Sequence, residues 1–518
     1  SGEISYENDV ELWVPLSLGL FGFPVEDVDV RSTPLIADLD GNTFNEIYFG
    51  SDSMLYGKWM GGLDVNGFPF SVGTEIATSI SAGDLDGDGD KELVFGTLDG
   101  SIYALTKTGT EHMTYDQDDP IIDVPVLSDL DQDGDLEIIF IASNDSTSTL
   151  YAIHDTGGDV TGFPVNISEK VVACPSVADL NNNMILDIVI VTMEGNVYVI
   201  EATGVYSIYM PLSTDDSFSS PVAIADLDGN QDLEIILGDD NGNVHVLHHD
   251  GPLMNSLETD SETFNGVSIA DIDGDGSMEL LFSGDEGYLH AWDPITNEEA
   301  NGWPIDLGSP VIDEPITMDI DNDGDQEIMC VTESNEIHFY HHDGVSFENF
   351  PYISYHSIYS MPVVGDIDND GDFEVIIGTS SDLRVIDIAQ EAGGKYTWST
   401  YRSSNHRNGY FDVTLASTSS NDISIPTKYS LGNNYPNPFN PITRISYGLP
   451  KDSNVNITVY DINGRVVNLL IDSDQPAGQG SIIWNGKNDA GMSVAAGLYF
   501  YKMQAGTFHQ TNKMILLK

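Results

Sequence analysis

Eight times in one chain an acidic nonapeptide interrupts an apolar run. The copies begin at Asp38, Asp84, Asp129, Asp179, Asp226, Asp271, Asp319 and Asp366, spaced by 46, 45, 50, 47, 45, 48 and 47 residues. A period in the forties held over most of a 518-residue chain describes one structural unit repeated. The copy "DLDGDGDKE" at 84–92 gathers five acids in nine positions. Like charges that close repel one another unless a cation sits among them.

The units read alike. An extended segment such as "SPVAIAD" (220–226) enters the loop, and a β-rich run such as "EIILG" (234–238) leaves it. A Gly-containing turn, "DDNG" at 239–242, leads to an alternating strand, "NVHVL" at 243–247. A variable loop then ends in a Gly-aromatic-Pro segment that opens a fourth strand, as at Phe23-Pro24, Phe68-Pro69, Phe163-Pro164 and Trp303-Pro304. Four short strands per unit with turn signals between them predict propeller blades, because such a unit buries both faces only against its neighbours. The fold class expected is all-β: an eight-bladed β-propeller, or a seven-bladed one with a displaced repeat. The Gly-aromatic-Pro segments precede the loops, so sequence repeat and blade are offset. The segment around Phe23 is therefore expected to pair with strands from 360–388 and close the ring.

Composition shifts near residue 413. Residues 1–412 are read as the propeller, 413–424 as a polar linker, and 425–518 as a small Ig-like β-sandwich with strands near 455–461, 464–472, 481–484, 497–505 and 508–517. The chain holds 85 acidic and 17 basic residues. Of these, 6 acidic and 8 basic fall in 413–518, which leaves 79 and 9 in 1–412, a balance of −70. No Lys or Arg occurs between Lys170 and Arg384. Such a surface repels nucleic acid and anionic membranes and attracts divalent cations. No apolar run reaches the ~18 residues of a transmembrane helix, and "SGEISYENDVELW" at the start lacks the basic and apolar regions of a signal peptide. Cys174 and Cys330 fall in apolar, strand-like segments of different repeats and are expected as buried free thiols.

Alternating oxygen ligands, a Gly that lets the chain curl and a terminal carboxylate describe a site for a hard cation. Calcium fits better than magnesium because it accepts six to eight oxygens in irregular geometry. Numbering each loop from its first acid, positions one, three, five and nine supply side chains and position seven its carbonyl. The expected ligands are Asp38, Asp40, Asn42, Phe44 and Glu46; Asp84, Asp86, Asp88, Asp90 and Glu92; Asp129, Asp131, Asp133, Asp135 and Glu137; Asp179, Asn181, Asn183 and Asp187. The later loops supply Asp226, Asp228, Asn230, Asp232 and Glu234; Asp271, Asp273, Asp275, Ser277 and Glu279; Asp319, Asp321, Asp323, Asp325 and Glu327; Asp366, Asp368, Asp370, Asp372 and Glu374. The terminal ligand at position nine and the flanking strands exclude an EF-hand, which has twelve positions and flanking helices. The fourth loop lacks two formal charges and is expected to bind most weakly. Seven or eight structural Ca2+ ions are expected in all. The competing reading is eight acidic surface turns without metal, since Asp and Gly make turns on their own.

With these residues in view, the repeats resemble the FG-GAP and VCBS repeats of integrin-type propellers over about residues 20–390. The acidic loop and the glycines Gly50, Gly96, Gly238 and Gly378 carry the likeness. The resemblance implies calcium, and a role in adhesion or in binding a glycan or protein ligand. "WSTYRSSNHRNGYF" (398–411) resembles a closing segment and is expected to pack on the propeller. "NYPNPFNP" (434–441), "VYDINGRVV" (459–467), "WNGKNDAG" (484–491) and "GLYFYKM" (497–503) resemble the sorting domain of the type IX secretion system and the related FlgD-like Ig domain. That likeness implies the type IX machinery as a partner and an extracellular or outer-surface location.

No nucleophile motif, zinc pattern or phosphate loop appears. The expectation is a non-catalytic binding protein. The alternatives are a calcium-dependent polysaccharide lyase, and an ancillary C-terminal region of a larger exported enzyme such as a protease. A lyase needs cationic groups to stabilise a developing carbanion, and the long stretch without Lys or Arg counts against it. Trp59, Trp292 and Trp303 are candidate sugar-stacking residues, although blade contacts suit Trp303 better. The pairs His248-His249 and His341-His342 could bind a transition metal, but repeat-derived surface loops explain them as well.

Overall fold

A computed structural model describes residues 22–411 and 428–517, apart from 40, 43, 77, 208–211, 214–216, 260, 262–263, 392–395 and 399 in the first stretch and 433, 435–436, 438, 440–442, 452, 476–477, 489–491, 493 and 507 in the second. The chain divides into two compact units, residues 1–417 and 418–518. Every regular element among the described residues is a strand, and no helix there is long and apolar enough to cross a membrane.

Among the described residues the first unit contains eight antiparallel sheets, each led by an inner strand: Leu35–Ala37, Ser81–Gly83, Ile121–Ser128, Ser176–Ala178, Ala223–Ala225, Phe264–Ala270, Ile316–Met318 and Val363–Gly365. Apolar clusters weld each sheet to the next. Tyr48 and Leu35 of the first pack with Phe95 and Ile80 of the second, and Phe140 of the third packs with Val94 of the second. Val363 and Ile376 of the last sheet pack with Ile47 and Phe49 of the first. Facing sheets bury β-branched and aromatic residues on both sides, so their strands read as continuous apolar runs. Gly96 shows why a glycine ends several of these runs. A methyl built on it would lie 2.7 Å from Ile121 of the adjoining sheet.

The ring closes between the two ends of the repeat array. Val25–Glu26 joins the last sheet, with Val25 opposite Leu383 and Glu26 opposite Asp382. This removes two exposed edges at once. The Gly-aromatic-Pro segments bury their aromatic residues (Phe23, Phe68, Phe163, Trp303) and carry cis peptide bonds at Phe23-Pro24, Phe68-Pro69, Phe163-Pro164 and Trp303-Pro304, as does Phe350-Pro351 after Asn349. Trp292 is 0% and Trp303 8% exposed, and Trp59 packs on the core between the first two sheets. The two buried tryptophans are blade residues and present no face to a sugar. Cys174 and Cys330 are buried free thiols.

Residues 400–411 do more than pack on the ring; they run along its inner strands. Amides of Ala82, Leu127, Val177 and Ile224 donate to the carbonyls of Asn405, His406, Asn408 and Gly409 in turn. The Asn405 side chain donates through Nδ2 to the Ile36 carbonyl. Arg407, fully buried, donates through Nε to the Ile80 carbonyl and through Nη1 to the Thr400 hydroxyl and the Tyr401 carbonyl. Arg402, also fully buried, donates to the Ser176 hydroxyl, and its own amide donates to Glu314. Each of these inner strands is the edge of its sheet and leaves backbone donors on the side without a neighbour, and the segment satisfies them.

The second unit is a sandwich of Ser430–Leu431, Thr443–Leu449 and Gly478–Trp484 against Val466–Gln475, Ser453–Asp461, Gly497–Ala505 and Phe508–Leu516. Trp484, Tyr501, Met503 and Met514 fill its core. The strand Thr443–Leu449 was not expected from the sequence.

Candidate metal centres

Each acidic nonapeptide is the hairpin between the inner and second strands of a sheet. The residue before position one pairs with position nine in all eight sheets: Ala37↔Glu46, Gly83↔Glu92, Ser128↔Glu137, Ala178↔Asp187, Ala225↔Glu234, Ala270↔Glu279, Met318↔Glu327 and Gly365↔Glu374. The terminal acid therefore belongs to the sheet and is buried, while the rest of the loop projects.

Left-handed turns at positions four and six shape that projection. Position four is Gly41, Gly87, Gln132, Asn182, Gly229, Gly274, Asn322 or Asn369, and position six includes Gly89, Gly134, Gly276, Gly324 and Gly371, all at positive φ. Gly meets that demand without strain, and Asn tolerates it. The fourth loop puts Met184 at position six with φ 67° and 77% exposed.

The same hydrogen bonds recur in each loop. The position-seven amide donates to the position-five side chain, at 2.8 Å for Asp90 to Asp88 and 3.0 Å for Asp325 to Asp323. The position-two amide donates to the terminal acid, at 3.1 Å for Leu85 to Glu92 and 2.7 Å for Ile367 to Glu374. One oxygen of that acid is thus held by backbone, and the other is left to the loop except in the third, fifth and seventh, where it meets a histidine.

These constraints bring carboxylates together. Asp84, Asp86 and Glu92 each offer an oxygen within 4.8 Å of the others, as do Asp368, Asp370, Asp372 and Glu374. Oxygens bound to one calcium at about 2.4 Å lie at most about 4.8 Å apart. The Oδ1 atoms of Asp84, Asp129, Asp271 and Asp319 and Oε1 of Glu374 are buried without a hydrogen-bond partner. Burial pushes Glu92 up to about 7, Glu279 and Glu327 up to about 8 and Glu374 up to about 10, with neighbouring loop aspartates adding to the rise. A buried carboxylate is costly to ionise alone, and a cation beside it offsets that cost.

Position seven turns its side chain outward in several loops. The Asp90 carboxylate meets Lys107 at 2.6 Å and that of Asp325 meets His342 at 3.0 Å, which leaves the carbonyl for the loop. In the eighth loop Asp372 instead directs its carboxylate inward, where only a carbonyl was expected. In the fourth, Glu201 stands opposite Asp187 across the sheet, and burial with the charges of Glu201 and Asp179 raises Asp187 to about 6. Asp40 lies outside the described residues.

Three histidines complete the picture. His154, His248 and His341 place Nδ1 3.1, 3.2 and 3.0 Å from Oε1 of Glu137, Glu234 and Glu327. They follow the third strands Ser148–Ile153, Asn243–Leu247 and Glu336–Tyr340. The sequence signal was present, since each lies seventeen or fourteen residues beyond its acid, but the spacing varies with the intervening turn and does not stand out as a motif.

Residues 441–508 match the FlgD Ig-like domain, and residues 319–377 match the FG-GAP-like repeat. The comparison with curated proteins gives no match. Among solved structures the chain is similar to Sqt1 of Saccharomyces cerevisiae (TM-score 0.54, 13% identity, 72% of this chain and 98% of that one). It is similar also to the Dos1 propeller (TM-score 0.51, 14% identity, 74% and 97%) and to BamB of Moraxella catarrhalis (TM-score 0.50, 14% identity, 72% and 99%). At such identities the likeness concerns the fold alone, a β-propeller built of repeats.

Proposed function

We propose that the chain is a secreted or cell-surface, non-catalytic propeller cemented by calcium, which binds a glycan or protein ligand outside the cell. The observation that carries the calcium reading is the buried oxygen without a hydrogen-bond partner at five loops, Oδ1 of Asp84, Asp129, Asp271 and Asp319 and Oε1 of Glu374. Calcium would be held by side chains at positions one, three, five and nine and by the carbonyl at seven. It would supply charge neutralisation and a fixed hairpin, and no reaction is assigned to it.

The scarcity of available cations supports the non-catalytic reading. Among the described residues Arg402 and Arg407 are fully buried, Arg31, Lys58, Lys107 and Arg384 are engaged with Asp29, Asp64, Asp90 and Asp382, and few basic side chains such as the exposed Lys91 remain. A lyase acting on acidic sugars would need such groups free. Export by a type IX-like route rests on the FlgD Ig-like match and on the sorting-domain motifs of residues 434–503.

A glycan-array screen of the full chain with calcium and with chelator tests the binding role. Calcium-dependent retention of one glycan class is expected, and depolymerisation of a bound polyuronide would establish the lyase instead. Fusing residues 425–518 to a reporter in a host with the type IX machinery tests export, and a reporter left in the periplasm would refute it.

A further inference from the structure

We propose that His154, His248 and His341 convert the third, fifth and seventh loops into nitrogen-bearing centres that take a zinc-type divalent ion. This inference rests on the reading of the loops as cation sites. Each of the three groups, Asp131 with Glu137 and His154, Asp228 with Glu234 and His248, and Asp321 with Glu327 and His341, presents one donor atom per residue within 4.8 Å of the others.

The imidazoles occur at one register place. Ile153, Leu247 and Tyr340 pair with Ile138, Ile235 and Ile328, so the next residue stands across from the terminal acid. In other sheets that place holds Glu201, across from Asp187, and Asp387, across from Glu374. Those loops are all-oxygen sites suited to calcium. An imidazole added to two carboxylates shifts preference toward borderline first-row ions, and zinc is bound at about 2.0–2.2 Å by such nitrogens and oxygens. Two ligands at those distances lie about 3.0–3.4 Å apart for angles from 90° to tetrahedral, which covers the observed 3.0–3.2 Å from Nδ1 to Oε1.

A further observation points into the seventh loop. Asp319 is 3% exposed, and its Oδ1 has no hydrogen-bond partner. The glutamates are oriented from behind by the amides of Leu130, Leu227 and Ile320, the outer hydrogen bonding that sharpens a metal site. His342 beside Asp325 and His249 near Asp232 add imidazoles around the seventh and fifth loops. The competing role is an N–H donated to a calcium-bound glutamate.

Metal counting on the full chain separates the two. Calcium-saturated protein is dialysed against micromolar Zn2+ with millimolar Ca2+ retained, and both metals are measured by mass spectrometry. About three zinc ions per chain are expected, with the calcium count falling by as many. H154Q, H248Q and H341Q should each remove one zinc and restore one calcium, because glutamine keeps a hydrogen-bond donor but is a poor zinc ligand. Wild-type protein that keeps its calcium and takes up no zinc would overturn the proposal, as would a triple variant that takes up zinc like the wild type. Protein that holds neither metal would overturn the cation reading of the loops itself.

Discussion

Nε of Arg407 donates to the carbonyl of Ile80 at 3.2 Å, joining the end of the first unit to an inner segment near its start. The guanidinium is fully buried, and burial lowers it to about 10 against the pull of nearby acids. Removing one partner from a buried charged network leaves the others desolvated and unsatisfied. Arg407→Met should therefore destabilise the first unit by about 3 kcal/mol. Urea unfolding checks this, and a midpoint within error of the wild type would show that the Arg407 contacts add no stability.

The boundary between the units gives a second prediction. The axial segment ends at Phe411, whose amide donates to the Ile224 carbonyl, and the units divide at residues 417 and 418. A chain ending at residue 417 should keep the calorimetric transition of the ring. One ending at residue 395 should lose it or melt well below, because amides on four inner strands and the Ile36 carbonyl lose their partners. Equal melting of the two chains would contradict this.

Much of this architecture was legible in the sequence because it repeats. The acid at position nine is legible as a ligand, and the structure adds that it is the residue opposite the inner strand's last residue in every sheet. The offset of Phe23 from the first loop anticipates Val25 opposite Leu383. The axial role of Arg402 and Arg407 was not legible. Their partners, Ser176 and Ile80, are contacts across hundreds of residues with no periodic pattern, and a buried arginine looks like any surface one in a sequence. The inward carboxylate of Asp372 was hidden for a different reason. Alternation assigns position seven its carbonyl, and only the longer second strand of the last sheet, Asp372–Gly378, brings that residue into the ladder.

Loops of different charge should differ in what they contribute. A site held at about 100 times its dissociation constant adds about 2.7 kcal/mol to folding. Asp86→Ala or Asp321→Ala removes a charged ligand from a group whose oxygens converge and should forfeit most of that in calcium. Asn181→Ala removes a neutral oxygen from a loop strained at Met184 and should cost under about 1 kcal/mol. Thermal melting in calcium and in chelator measures both, and equal losses for the two classes would remove the distinction between loops.

The raised terminal acids make stability depend on pH in opposite directions with and without metal. Without metal, Glu92 is raised to about 7, Glu279 and Glu327 to about 8 and Glu374 to about 10, chiefly by burial. An acid whose folded value exceeds its unfolded value binds more protons in the folded state. Its stabilisation is complete below the unfolded value, near 4.3, and is lost as pH rises through the folded one. Metal-free protein should therefore melt higher at pH 5 than at pH 8.5. Calcium needs these same carboxylates ionised, so calcium-loaded protein should show the reverse order over that interval, and binding at pH 7 should release protons. Calorimetric titration in two buffers of different ionisation heat counts those protons, and a chelator series fixes the metal-free slope. Melting curves with the same pH slope in both states, together with no proton release, would show that the buried acids are not the calcium ligands.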